Sequence, residues 1–390
     1  MIADAVGAIL LATITLYAVL GGADFGGGLW DLLAGGDRRG QAPRQLIDES
    51  ITPVWEANHV WLIFALVIFW TGFPVAFAAV MNAAALPIWL AVGGIVLRGA
   101  GFAFRKEAQG ITLQRELGAV FAFSSLLTPF FMGTVVGAMA AGQIPGDASR
   151  TSLPAWTGAT SLLIGFLFVG ACGYLAAIYL IGEAAGRDDR RMEAYFTRRA
   201  QAAGLVTGAL SLATLAELHG ADPALWRNLT GRALPLVITA AVAGVAVVAL
   251  LAAGRPRGVR VLAALGVSAV IWGWGVAQYP ALLPGTPVTL SNAGAPHETL
   301  VALVVLFVAA VLMVGPSFAL LFALQGRQVL RHDHGGIALA GVTDGGPRSR
   351  ARSGRGRPES PQRQSPGSRT AAIGLVAVAL ARALARRRGR

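Results

Sequence analysis

Two carboxylates stand in stretches of sequence that are otherwise apolar. Asp24 lies inside the glycine-rich run GGADFGGGLWDLL, and Glu56 lies in the run PVWEANHVW, where the next apolar stretch begins. A charged side chain at the centre of a bilayer costs about 3 kcal/mol on insertion scales, so such residues usually face a protein interior, a partner or a water-filled path. A functional role is therefore the first hypothesis for both acids.

The segment around Glu56 combines groups that handle protons. Glu56 and His59 are three positions apart and share one helix face, with Asn58 beside them. A carboxylate and an imidazole at this spacing can exchange protons near neutral pH. The alternative is a capped helix end, since Pro53 suits a first helical turn and an acid is favoured near the positive end of the helix dipole. We favour a proton path, because Asp24 lies deeper and has no cation nearby in the sequence.

Membrane spans must position these groups. The chain has 390 residues, of which 55% are hydrophobic and 13% charged, and its mean hydropathy is +0.62. Apolar runs long enough to cross a bilayer, about 20 residues each, recur along it. The predicted fold is an all-α polytopic membrane protein with nine spans, at 2–28, 53–73, 75–97, 118–142, 156–182, 201–219, 232–253, 259–281 and 299–325.

The net charge of +12 comes almost entirely from the C-terminal segment. Residues 1–326 carry 18 basic and 17 acidic side chains, whereas residues 327–390 carry 14 arginines and three acids. We therefore divide the chain into a transmembrane domain, 1–326, and a basic tail, 327–390, predicted to be disordered because it has few apolar residues to bury. Anionic lipid headgroups or RNA would suit such a tail. A solvated tail without a specific role is the favoured interpretation, and we expect no nucleic-acid partner.

Basic residues also predict the orientation of the spans. Fifteen of the basic side chains before residue 327 fall in the connections after the first, third, fifth and seventh spans, and three fall in the other connections. Basic loops face the cytoplasm, so the N-terminus is predicted outside and the tail inside. Arg98 and Arg105 belong to the cytoplasmic connection after the third span. Both Asp24 and Glu56 are then expected to line an approach from the cytoplasmic side.

Several other chemistries find no support in the sequence. Cys172 is the only cysteine, so neither a disulfide framework nor a cysteine metal cluster is available. The glycines after Phe25 lie in a helical apolar context, which favours close helix packing over nucleotide binding. His59, His219 and His297 are the histidines in or next to the spans, and histidines at the wet ends of helices are a better interpretation of them than haem ligands. We predict no metal ligands and no catalytic residues in this chain.

Four segments resemble subunit II of cytochrome bd-type quinol oxidases. They are GGADFGGGLWDLL, ITPVWEANHVWLIF, LRGAGFAFRKE and WGWGVAQYPALLPG, and the resemblance extends over residues 1–326. It implies a multi-pass protein of the bacterial cytoplasmic (inner) membrane and an obligate heterodimer with a subunit I that carries haems b and d and the quinol site. The complex would oxidise quinol, reduce dioxygen to water and build a proton gradient. A small accessory subunit, surrounding lipids and a structural quinone in this subunit are further features that the resemblance allows, with no cofactor held firmly by this chain.

The resemblance also assigns residues. Asp24 matches the second acid of the family's D-G-F-D segment, whereas Gly21 replaces the first acid. Glu56 matches the acid of the W-D/E-x-N motif, which the family associates with proton delivery. Ala103 stands where an acid is frequent. The predicted proton path comprises Asp24, Glu56, Asn58 and His59, and the predicted interface or structural residues are Trp55, Trp61, Arg98 and Arg105.

A stand-alone proton-coupled secondary transporter is the alternative function. In that case Asp24 and Glu56 would be coupling sites near broken helices, and two inverted repeats should each contain such a helix. The sequence has no clear internal repeat, which favours the oxidase subunit.

Overall fold

A computed structural model describes residues 1–51, 55–107, 111–147 and 153–326. This part of the chain is helical and contains no strand. Eight helices are long and apolar enough to cross a membrane, and a ninth span results if the bent pair α3–α4 counts as one. These features confirm the predicted polytopic all-α fold, while the orientation of the termini stays a prediction. The helices are α1 Ile2–Leu32, α2 Asp37–Ile51, α3 Trp55–Gly72, α4 Pro74–Ala83, α5 Ala85–Glu107, α6 Ile111–Ala140, α7 Ala159–Ala185, α8 Arg190–Ala221, α9 Pro223–Thr230, α10 Leu234–Ala252, α11 Val259–Gln278 and α12 His297–Gly326.

The connection after the first span is itself a helix. Segment Asp37–Ile51 forms α2, which the span prediction treated only as a link. Arg44 Nε donates to Asp31 Oδ1 at 2.8 Å, and Arg187 pairs with Glu49. These ion pairs fasten α2 to the end of α1 and to the residues that follow α7.

The third predicted span, 75–97, is wrong in its boundaries. Pro74 begins the separate helix α4, whose axis is bent by 114° from that of α3. Phe73 leaves helical geometry at φ −136°, at the predicted boundary between the second and third spans, and proline suits the first turn of a new helix because it has no N–H to pair there. A second break, at Ala84 with φ −109° and ψ 26°, ends α4 and was not predicted. The spanning helix is instead α5, which begins at Ala85 and continues to Glu107. Arg98 therefore lies inside a helix rather than in a cytoplasmic loop.

Helix α1 lies at the centre of the bundle. It contacts α3, α6, α7, α11 and α12. A Cβ added at Gly26 would lie 1.9 Å from the carbonyl oxygen of Cys172 on α7, so the two backbones touch there, as the glycine run predicts. Trp30 Nε1 donates to the Gly173 carbonyl at 2.8 Å and joins the same two helices. This close approach holds Asp24 between α1 and its neighbours.

Candidate functional site

Asp24 forms a buried ion pair with Arg98. Arg98 Nη2 lies 2.7 Å from Asp24 Oδ1, and both side chains are 1% exposed. The same nitrogen donates to the Asp24 carbonyl at 3.1 Å. No cation lies near Asp24 in the sequence. In the fold, however, α5 packs close to α1 and brings Arg98 to the carboxylate. Arg98, expected in a loop, is thus a buried structural partner of the acid.

Polar and aromatic neighbours of Arg98 offset the cost of burying its charge. Its Nε donates to Ser125 Oγ at 3.0 Å, and Ser125 Oγ donates in turn to the Phe121 carbonyl at 2.6 Å. The guanidinium carbon lies 4.9 Å and 5.1 Å from the ring centroids of Phe25 and Phe121. Aromatic faces attract cations, and a buried ion pair is tolerated only when further polar contacts offset its desolvation. Helices α1, α5 and α6 therefore build one polar site inside the apolar bundle.

This polar site is incompletely satisfied by the described residues. Asp24 Oδ2, Arg98 Nη1, Tyr17 Oη and Asn58 Oδ1 are buried atoms without a hydrogen-bond partner among them. Buried polar groups in proteins are nearly always paired with protein atoms or ordered water. Both donors and acceptors thus remain available at one place in the bundle.

A cavity of about 200 Å³ adjoins the ion pair. Asp24 and Asn58 contribute to its wall, and so does Arg260, whose side chain is 46% exposed. Arg260 donates to the Tyr179 carbonyl at 2.6 Å and to Glu183 Oε1 at 3.2 Å. The cavity therefore extends from the buried acid to a side chain at the bundle surface. The rest of its lining is apolar and comprises Val19, Leu20, Ala23, Leu175, Ile178, Ala263 and Ala264.

The start of α3 packs directly against this part of α1. Asn58 is 2% exposed, and its Nδ2 donates to the Leu20 carbonyl at 3.2 Å. The ring of His59 meets the rings of Tyr17 and Phe25 edge-on, with centroids 6.2 Å and 6.4 Å apart. The structure thus brings together three of the four predicted proton-path residues: Asp24, Asn58 and His59.

The structure describes only some of the remaining predicted residues. The side chains of Trp55, Glu56 and Arg105 lie outside the described residues, although their backbones are helical. The predicted role of Glu56 therefore stays a prediction. Trp61 is 9% exposed and packs against Phe64, with ring centroids 6.1 Å apart.

Sequence reasoning missed Tyr17, Ser125 and Arg260. Tyr17 lies seven positions before Asp24, two helical turns away on the same face of α1, and this spacing was the signal that would have found it. Ser125 and Arg260 reach the site from distant parts of the chain. Their positions follow from how α6 and α11 pack on α1 and α7, which no local pattern reveals.

The histidines do not fit the requirements of haem ligation. An axial ligand must face a roomy pocket. His219 is exposed with its ring against Trp226, His297 is exposed at the start of α12, and His59 is wedged between two aromatic rings. None of the three lines the cavity beside Asp24.

Fold and site together define a polytopic helical membrane protein with an ion pair buried among its central spans. The family model of cytochrome bd terminal oxidase subunit II matches residues 3–325. The chain therefore belongs to that family, as the sequence motifs predict. This membership argues against the transporter alternative, and the described residues contain one bent helix pair rather than one in each of two repeats.

Curated relatives and a solved structure resemble the chain as well. Subunit 2 of the cytochrome bd ubiquinol oxidase from Bacillus subtilis is 28% identical over 141 residues, which are 36% of this chain and 40% of the relative. Subunit 2 of the cytochrome bd-I ubiquinol oxidase from Escherichia coli K12 is 26% identical over 214 residues, which are 53% of this chain and 54% of the relative. The chain thus spans about half the length of the curated relatives it matches. A chain of the bd oxidase from Geobacillus thermodenitrificans has the same fold, with a TM-score of 0.68, 21% identity, and coverage of 83% of this chain and 98% of that one.

Proposed function

We propose that this chain is subunit II of a bd-type quinol oxidase complex in a bacterial cytoplasmic membrane. The complex oxidises quinol and reduces dioxygen to water, with haems b and d held by a partner subunit I. The match of the family model over residues 3–325 supports this function, as do the names of the curated relatives. The observation that carries the role of this chain within the complex is the buried pair Asp24–Arg98 beside a cavity.

Within the complex, this chain delivers protons. Reduction of dioxygen to water consumes protons, and an apolar bundle conducts them only where polar groups and water form a path. Asp24 Oδ1 is held by Arg98, while Oδ2 has no partner among the described residues and belongs to a residue that lines the cavity. The free oxygen can accept a hydrogen bond from cavity water, so that the ion pair anchors a chain of water along which protons move. Glu56 and His59, one turn apart on α3, provide the approach to this point.

Purification of the intact complex tests the assembly. We expect the tagged full-length chain, extracted from its native membrane in mild detergent, to co-elute with a haem protein. The preparation should show a reduced-minus-oxidised haem spectrum and quinol-dependent oxygen consumption. A colourless chain that elutes alone, without oxygen consumption, would contradict the proposal.

Glu56→Gln is expected to slow oxygen consumption driven by quinol about tenfold or more, because general acid–base groups typically contribute factors of this size or larger to proton transfer. The amide keeps the shape of the side chain and removes the exchangeable charge. Turnover is measured with an oxygen electrode on purified complex of equal haem content. Glu116→Gln, at an exposed position of α6, is the matched control and should run at the wild-type rate. Equal turnover of wild type and Glu56→Gln would remove Glu56 from the path.

A further inference from the structure

Tyr17 is buried beside the ion pair, and the function described above does not use it. Its side chain is 8% exposed, and one ring carbon lies 3.0 Å from the position that a Cβ of Gly21 would occupy. The ring also meets Phe25 edge-on, with centroids 6.3 Å apart, and Phe25 covers the guanidinium of Arg98. The tyrosine side chain therefore extends along α1 toward the Asp24–Arg98 pair, over a glycine that leaves room for its ring.

The Tyr17 hydroxyl is one of four buried atoms around the ion pair that lack a hydrogen-bond partner among the described residues. The other three are Asp24 Oδ2, Arg98 Nη1 and Asn58 Oδ1. Buried polar groups are nearly always paired with protein atoms or ordered water, so four unpaired atoms together point to a ligand that pairs with them. A hydroxyl, a guanidinium N–H, a carboxylate oxygen and an amide oxygen offer both donors and acceptors, which is the set that water requires.

The neighbouring cavity has room for this water. It measures about 200 Å³, and Asp24 and Asn58, two of the four residues concerned, line it. One water takes up about 30 Å³ in the liquid, so several fit. Asp24 and Asn58 bring unpaired polar atoms to its wall, and these offer water the hydrogen-bond partners that a wholly apolar cavity lacks.

We propose that Tyr17 is a proton-relay residue that joins His59 and the Asp24–Arg98 pair into one proton path through bound water. Its ring lies beside that of His59, with centroids 6.2 Å apart, and beside that of Phe25, which covers the Arg98 guanidinium. In each transfer the hydroxyl gives its proton to one water and takes a proton from another, so that the side chain ends neutral and no charge is stored. This inference rests on the proposed role of the chain in proton delivery.

Tyr17→Phe in the intact complex tests the inference. The phenylalanine keeps the ring over Gly21 and removes only the hydroxyl. We expect proton uptake during oxygen reduction to slow about three- to tenfold, the rate equivalent of one lost hydrogen bond. The haem spectrum and the yield of complex should be unchanged, and the infrared difference spectrum should lose a band of hydrogen-bonded water.

Tyr174→Phe is the matched control. It removes another buried tyrosine hydroxyl without a partner, on α7, from a side chain whose ring packs against Gly204 of α8. Wild-type uptake in Tyr17→Phe, or equal slowing in both tyrosine variants, would overturn the inference. If Tyr17→Phe runs at the wild-type rate while Glu56→Gln is slow, only the role of Tyr17 fails. If Glu56→Gln is also unaffected, the proposed proton delivery fails with it.

Discussion

Arg98→Gln is expected to destabilise the protein by about 3–5 kcal/mol, the typical cost of removing one partner from a buried ion pair. The substitution leaves the Asp24 carboxylate, which is 1% exposed, without its cation. It also removes the charge that Phe25 and Phe121 cover and the donor to Ser125. Loss of assembled complex on size-exclusion chromatography and a lower unfolding temperature of the purified protein measure the effect.

A double-mutant cycle shows whether the cost comes from the unpaired charge. Asp24→Asn alone leaves the Arg98 guanidinium without an acidic partner. Asp24→Asn combined with Arg98→Gln leaves two neutral amides. We expect the double variant to recover most of the stability lost in either single variant, because neither charge is then left unpaired. Arg39→Gln, at an exposed position of α2, should have no measurable effect. Additive losses in the double variant would show that the two side chains do not act as a pair.

Gly26→Ala is expected to disrupt the packing of α1 on α7. The added methyl group would lie 1.9 Å from the carbonyl oxygen of Cys172. A backbone atom, unlike the end of a flexible side chain, cannot relieve this clash by changing rotamer. Overpacking a core costs about 1–3 kcal/mol and sometimes more, and a contact between two backbones belongs at the upper end. The measurement is the yield of assembled complex and its thermal stability.

Gly244→Ala provides the control for this effect. Gly244 lies within α10, where a Cβ would meet no other atom within 4 Å, and alanine is the better helix former. We expect unchanged or slightly increased stability there. Similar stability for Gly26→Ala and the wild type would mean that α1 and α7 lie further apart than the structure places them.

Hydropathy alone was enough to predict most of the spans. Helices α7, α10, α11 and α12 match the predicted positions to within a few residues, because each is one apolar run between polar segments. The break at Phe73 coincides with the predicted boundary between the second and third spans. The break at Ala84, which separates α4 from α5, was missed because the apolar run continues across it. Helix α2 was missed because it is a polar helix that depends on ion pairs with the bundle rather than on a span of its own.

The candidate site was predictable in its parts but not in its pairing. Composition singles out Asp24 as an acid in an apolar helix, whereas its partner lies 74 positions away, in a segment whose charge predicts a cytoplasmic loop. Long-range contacts of this kind depend on how α1, α5 and α6 pack. Tyr17 presents the opposite case, because its spacing from Asp24 is local and the sequence already places both on one helix face.

Proton uptake by the purified complex tests the central claim most directly. The fully reduced complex is mixed with oxygen, and a pH-indicator dye follows uptake from the medium in the wild type and in the Asp24→Asn/Arg98→Gln variant. The proton-delivery role predicts uptake slowed about tenfold or more in the variant, with unchanged haem content. Uptake at the wild-type rate in a variant that has lost both charges would contradict it.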